Sequence, residues 1–114
     1  MTNEYRRVTT ADTNAVIVFV GQSFLLQAIV AATTAVQLKI YDIGVAPTVG
    51  TSTPELVFHC PIGTTAVNFS QPAMPQGYEL HTGIGIGIVK GATVADSITT
   101  ACAAADACVS LVYR

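Results

Sequence analysis

The chain has 114 residues, enough for one hydrophobic core but not for two, and 51% of them are hydrophobic while only 11% are charged. A soluble domain usually carries about 25% charged residues, so here Thr, Ser, Ala, Gly and Gln must cover the surface, a composition suited to burial against neighbours. The net charge is −2 and the basic residues Arg6, Arg7, Lys39, Lys90 and Arg114 are scattered, which excludes the clustered electrostatic footprint that nucleic acid requires.

Valine, isoleucine and threonine supply about a third of the chain and strong helix formers are scarce, so the prior favours β-structure. Residues 1 to 13 are polar and predict an N-terminal arm that orders on contact with a neighbour, with Arg6 and Arg7 as candidate contact residues. Residues 14 to 114 then form one domain. Ala15 to Val20 is apolar on both faces, as in a strand covered on both sides, and Gly21-Gln22 turns it into a second strand over Ser23 to Ala31. Val36, Leu38 and Ile40 alternate with Gln37, Lys39 and Tyr41, which predicts a strand with one face buried.

Asp42 ends that strand, and Ile43 to Thr53, with two glycines, Pro47 and several hydroxylated residues, predicts a long surface loop. A strand follows over Glu55 to Cys60, with Leu56, Phe58 and Cys60 on one face and Val57 and His59 on the other. After the turn at Pro61-Ile62-Gly63, Thr65, Val67 and Phe69 alternate with Ala66, Asn68 and Ser70 as a half-buried strand. Residues 71 to 77, with Pro72, Pro75 and Gly77, predict another loop.

Gly83-Ile84-Gly85-Ile86-Gly87-Ile88 places isoleucines on one face of a strand and glycines on the other. A face of glycines alone is costly in backbone entropy, so a large side chain or a neighbouring subunit should lie against it. Gly83, Gly85 and Gly87 are therefore candidate interface residues. Residues 91 to 107 predict a loop or a single helical turn near Ala101 to Ala107, and Cys108 to Tyr113 a final strand. Seven or eight short antiparallel strands separated by turns predict an all-β fold, a single β-sandwich or jelly-roll-like domain.

Three cysteines, Cys60, Cys102 and Cys108, leave at least one thiol unpaired and point to a reducing compartment with three free thiols. His59, Cys60, His81 and Cys102 are the residue types of a zinc site or a Cys-His nucleophile, but His59 and Cys60 point to opposite faces and no paired CxxC or HxxxH occurs. The Gly83 to Gly87 run lacks the spacing of a phosphate loop. The acids lie at turns, where Asp42 and Asp96 are expected to cap their own backbone, and no serine has a nucleophile-elbow context. The expectation is no catalytic residue, no metal and no cofactor. The uncharged stretch from residue 15 to 36 is broken by Gln22, Ser23 and Gln27 and has no aromatic belts, which argues against a membrane span; the polar start argues against a signal peptide.

From Val36 to Pro54 the chain resembles small tailed-bacteriophage virion proteins of the capsid decoration, or cement, type. The resemblance rests on Lys39-Ile40-Tyr41-Asp42, on the loop Ala46-Pro47-Thr48-Val49-Gly50-Thr51-Ser52-Thr53-Pro54, and on Glu55-Leu56-Val57. Further matches are Pro61-Ile62-Gly63, Thr82-Gly83-Ile84, Ala95-Asp96-Ser97 and Leu111-Val112-Tyr113, so it spans residues 30 to 114; the cysteines and the Gly-Ile repeat depart from it. The resemblance implies a non-enzymatic β-sandwich on the capsid exterior, assembled in the host cytoplasm, that binds the major capsid protein. A head-completion, tail or baseplate component of the virion is the alternative. The charge deficit and the apolar strands without charged gatekeepers predict self-association into a dimer or trimer.

Overall fold

A computed structural model describes residues 4–9, 15–72, 75–90 and 106–114. Nine strands are found among them: β1 (Glu4–Thr9), β2 (Ala15–Val20), β3 (Ser23–Ala32), β4 (Val36–Tyr41), β5 (Leu56–Cys60), β6 (Gly63–Asn68), β7 (Tyr78–Leu80), β8 (Gly83–Lys90) and β9 (Ala107–Tyr113). All pairings are antiparallel. One sheet runs β1-β9-β3-β6, with β7 also on β3, and the other runs β2-β8-β4-β5. The two face each other across the core, so the fold is the β-sandwich that the alternating patterns predict.

Consecutive strands mostly change sheet. Among the described strands β4 and β5 are the one pair of sequence neighbours that share a ladder, with Val36 opposite Cys60 and Ile40 opposite Leu56. Gly21-Gln22 therefore does not close a hairpin, as its dipeptide suggests, but carries the chain from β2 in one layer to β3 in the other. Gly21 has φ 122°, a backbone conformation that glycine adopts without strain, and its N–H donates to the Thr82 carbonyl at 2.8 Å, tying this crossing to the one between β7 and β8.

β6 and β7 share one edge of β3. β6 pairs along Gln27–Ala32 and β7 along Ser23–Leu25, and between them the Phe69 N–H donates to the Leu26 carbonyl at 2.9 Å. On the other edge of β3, β9 runs as far as reciprocal backbone hydrogen bonds between Phe24 and Arg114 of 2.7 and 3.0 Å.

The core is built from the inward residues of both layers: Leu25, Ala28, Val30, Val109 and Leu111 from one, and Val36, Leu38, Ile40, Ile84, Ile86 and Ile88 from the other. An aromatic clasp joins the layers at one side. Phe58 meets Phe69 with ring centroids 5.8 Å apart, and Phe69 meets Tyr78 at 6.1 Å, both edge-to-face.

Three elements differ from the sequence expectation. Residues 4–9 of the predicted arm form β1, paired with β9 from Glu4 opposite Tyr113 to Thr9 opposite Cys108; residues 1–3 and 10–14 lie outside the described residues. β2, expected to be covered on both faces, leaves Phe19 and Val20 exposed at its end and is an edge strand of its sheet. β4, expected to be half exposed, is buried along all six residues, including Gln37 and Lys39. Alternation told the two faces of β4 apart correctly, but it could not show that the outer face is covered too.

Candidate functional site

The loop between β4 and β5 is the expected surface loop, with Val45, Ala46, Thr48, Gly50, Thr51 and Thr53 exposed, but its Ile43 and Pro47 fold back over the glycine face of β8. Asp42, immediately after β4, anchors it. Its Oδ1 accepts hydrogen bonds from the Thr82 N–H at 2.7 Å and the Gly83 N–H at 3.3 Å, and its Oδ2 accepts one from the His81 N–H at 3.0 Å. Asp42 was expected to cap its own turn; it caps the β7–β8 turn instead. Partial burial pushes this carboxyl up, but the three backbone donors and the nearby His81 outweigh it and hold the group below the usual carboxylate range.

With Asp42 fixed, Ile43 and the buried Pro47 come down on β8. A β-carbon built on Gly85 would lie 2.8 Å from Ile43 Cγ2 and 3.2 Å from Pro47 Cδ, and one on Gly83 would strike the carbonyl oxygens of Ile43 and Phe19. Gly83, Gly85 and Gly87 are all buried in the subunit. They therefore present no surface to a partner: the close neighbour that the glycine face of Gly83 and Gly85 requires is this chain's own loop.

The far part of the loop closes on itself. The Thr48 carbonyl accepts the N–H groups of Thr51 and Ser52, at 3.0 and 2.8 Å, while the Thr48 N–H donates to Ser52 Oγ at 3.0 Å, and Gly50 takes φ 89°. The loop returns to β5 through the Glu55 N–H, which donates to the Ile40 carbonyl at 2.7 Å. Glu55 also accepts a hydrogen bond of 2.7 Å from the Tyr78 hydroxyl, linking the loop's end to β7 in the other layer. That bond, with burial and the Glu55 charge, raises the Tyr78 hydroxyl above the usual tyrosine value.

The residues with zinc-site or nucleophile chemistry stay apart. Cys60 points into the core, where burial raises its thiol; His59 is on the opposite face of β5, and His81 is in the β7–β8 turn. Cys102 and Asp96 lie outside the described residues. Among the described residues no group of three or more His, Cys, Asp and Glu is placed to hold a metal ion, and no helix is long and apolar enough to cross a membrane.

The surface carries large apolar side chains instead. Tyr5 is 64% exposed, Phe19 38%, Val20 63%, Val45 66% and Ile62 72%. Phe19 and Val20 end β2, and a β-carbon built on Gly44, next to Val45, would lie 4.0 Å from Val20 Cγ1, so Val20 and this part of the loop are adjacent. Phe19 also reaches the other layer, its ring centroid 5.6 Å from that of Tyr113. Arg6 and Arg7, the charged candidates, are on β1 opposite Leu111 and Ser110. Sequence reasoning missed Phe19 and Val20 because the end of β2 lies at the edge of its sheet, which only the strand order reveals.

Comparison with protein families, with curated proteins and with solved structures finds no match to this chain.

Proposed function

We propose that the chain is a capsid decoration, or cement, protein of a tailed bacteriophage, which binds the major capsid protein lattice on the outside of the head and stabilises it. The observation that carries this reading is a charge-poor surface with large apolar side chains standing out of a small β-sandwich: Tyr5, Phe19, Val20, Val45 and Ile62. Charge depletion with exposed aromatic and aliphatic anchors marks surfaces that are covered in an assembly. The resemblance over residues 36–54 suggests a phage capsid as that assembly, and those residues make up β4 and the loop that follows it.

Such a protein acts by mass action. Binding the assembled lattice and not its disassembled subunits raises shell stability by RT ln(1 + [L]/Kd), about 2.7 kcal/mol per site at a hundredfold excess over Kd, and repetition over the lattice multiplies the effect. Heating shells with and without the purified protein tests this. The melting temperature of the shell rises with protein concentration if the reading holds and stays fixed if it does not.

A further inference from the structure

We propose that the β2 edge is a self-pairing surface, on which a second copy of this chain lays its own β2 antiparallel to form a two-fold dimer. β2 closes one side of its sheet, and among the described residues no strand pairs with its outer edge. An edge strand presents unpaired N–H and C=O groups, so the group it accepts is another extended strand. Natural edges are blunted by charge, Pro, polar side chains or a β-bulge. β1 carries Glu4, Arg6 and Arg7; β6 carries Thr64, Thr65 and Asn68; β5 carries His59 and has no exposed side chain. β2, with the sequence Ala-Val-Ile-Val-Phe-Val, has no such residue. Its one interruption is the shift in its register against β8 between Ile17 and Phe19, beyond which Phe19 and Val20 stand exposed, Val20 next to Gly44 of the β4–β5 loop.

The order of charges on β1 favours a second copy as the occupant. β2 against β2 of another chain sets no charge against another, whichever register is taken. β1 and β2 are the terminal strands of their layers on the same side of the sandwich, as the Phe19–Tyr113 contact and the neighbouring β5 and β6 on the far side show. A two-fold axis across β2 therefore also turns the two β1 strands towards each other in antiparallel sense. The order Glu4-Tyr5-Arg6-Arg7 is self-complementary in that sense: centred between Tyr5 and Arg6, it sets Glu4 of one copy at the register position of Arg7 of the other.

Sedimentation velocity on the full chain tests the proposal, with Val20→Lys as the disrupting variant and Ile62→Lys as the control at the distant β5–β6 turn. Both side chains are exposed, and far-UV circular dichroism verifies that both variants fold. The wild type and Ile62→Lys should sediment at twice the 11.8 kDa of one chain, and Val20→Lys at the mass of one. A monomeric or trimeric wild type overturns the proposal, as does a Val20→Lys variant that folds and remains dimeric. Shell binding is measured separately, so a monomer that still binds shells would remove the dimer and leave the decoration reading intact.

Discussion

The Pro47 ring stands where a side chain on Gly85 would have to go, with its Cδ 3.2 Å from the position of the missing β-carbon. This contact joins the two most distinctive stretches of the sequence, the loop that carries the resemblance and the Gly-Ile repeat. Each accounts for the other, since a loop can lie flat on a strand only if that strand offers it no side chains.

Gly85→Val should therefore destabilise the free protein by about 1 to 3 kcal/mol through overpacking against Ile43 and Pro47. Gly83→Ala should cost more than Gly85→Ala, because its β-carbon would meet backbone carbonyls, which cannot move aside as the Ile43 methyl can. Thermal melts of the variants check this. An unchanged melt for Gly85→Val would show that the loop does not hold this position in solution.

Acid should weaken the loop anchor. The Asp42 carboxyl is held below its unfolded value of about 4, so it contributes stability that is present above that pH and is lost as the pH falls through the folded value. Asp42→Asn should cost about 1 kcal/mol at neutral pH, a modest figure because the site is partly exposed, and should flatten the stability profile below pH of about 4. Denaturant melts across the acid range measure both.

Tyr78 gives the opposite sign at the alkaline end. Its raised hydroxyl contributes stability that is present below the unfolded value of about 10 and is lost as the pH rises through the folded one. The phenolate absorbance of Tyr78, isolated by difference against Tyr78→Phe, should titrate above free tyrosine, and Glu55→Gln should bring it down. Tyr78→Phe should cost about 0.5 to 1.5 kcal/mol.

Removing residues 1–9 should destabilise the isolated protein, because six register pairs between β1 and β9 are lost and β9 becomes an edge. An arm that orders only on a neighbour would leave the melt nearly unchanged, so the melting temperature of the truncated chain distinguishes the two.

The parts of the fold legible in the sequence are those in which side-chain alternation coincides with one buried face. β4, β5, β8 and β9 are evident from Val36-Leu38-Ile40, Leu56-Phe58-Cys60, the isoleucines of the repeat and Val109-Leu111-Tyr113. β1 escaped because an edge strand can be polar, as Glu4, Arg6 and Arg7 are, and polar residues at a terminus look like an arm. β7 escaped because three residues are too short for a pattern. The Gly83 and Gly85 positions were recognised as needing a close neighbour, yet that neighbour is fixed by Asp42 reaching a turn about forty residues away, and no local spacing encodes such a contact. Exposure of Phe19 and Val20 follows from strand order, a property of the whole topology.

A place on the capsid lattice is tested by the copy number of the protein on shells assembled without it. Purified protein mixed with such shells, separated from unbound chain and quantified against the major capsid protein, should saturate in fixed proportion to the number of capsid subunits. Saturation at a few copies per particle would contradict a decoration role and point to a head-completion, tail or baseplate position, and no binding at all would contradict a capsid role altogether.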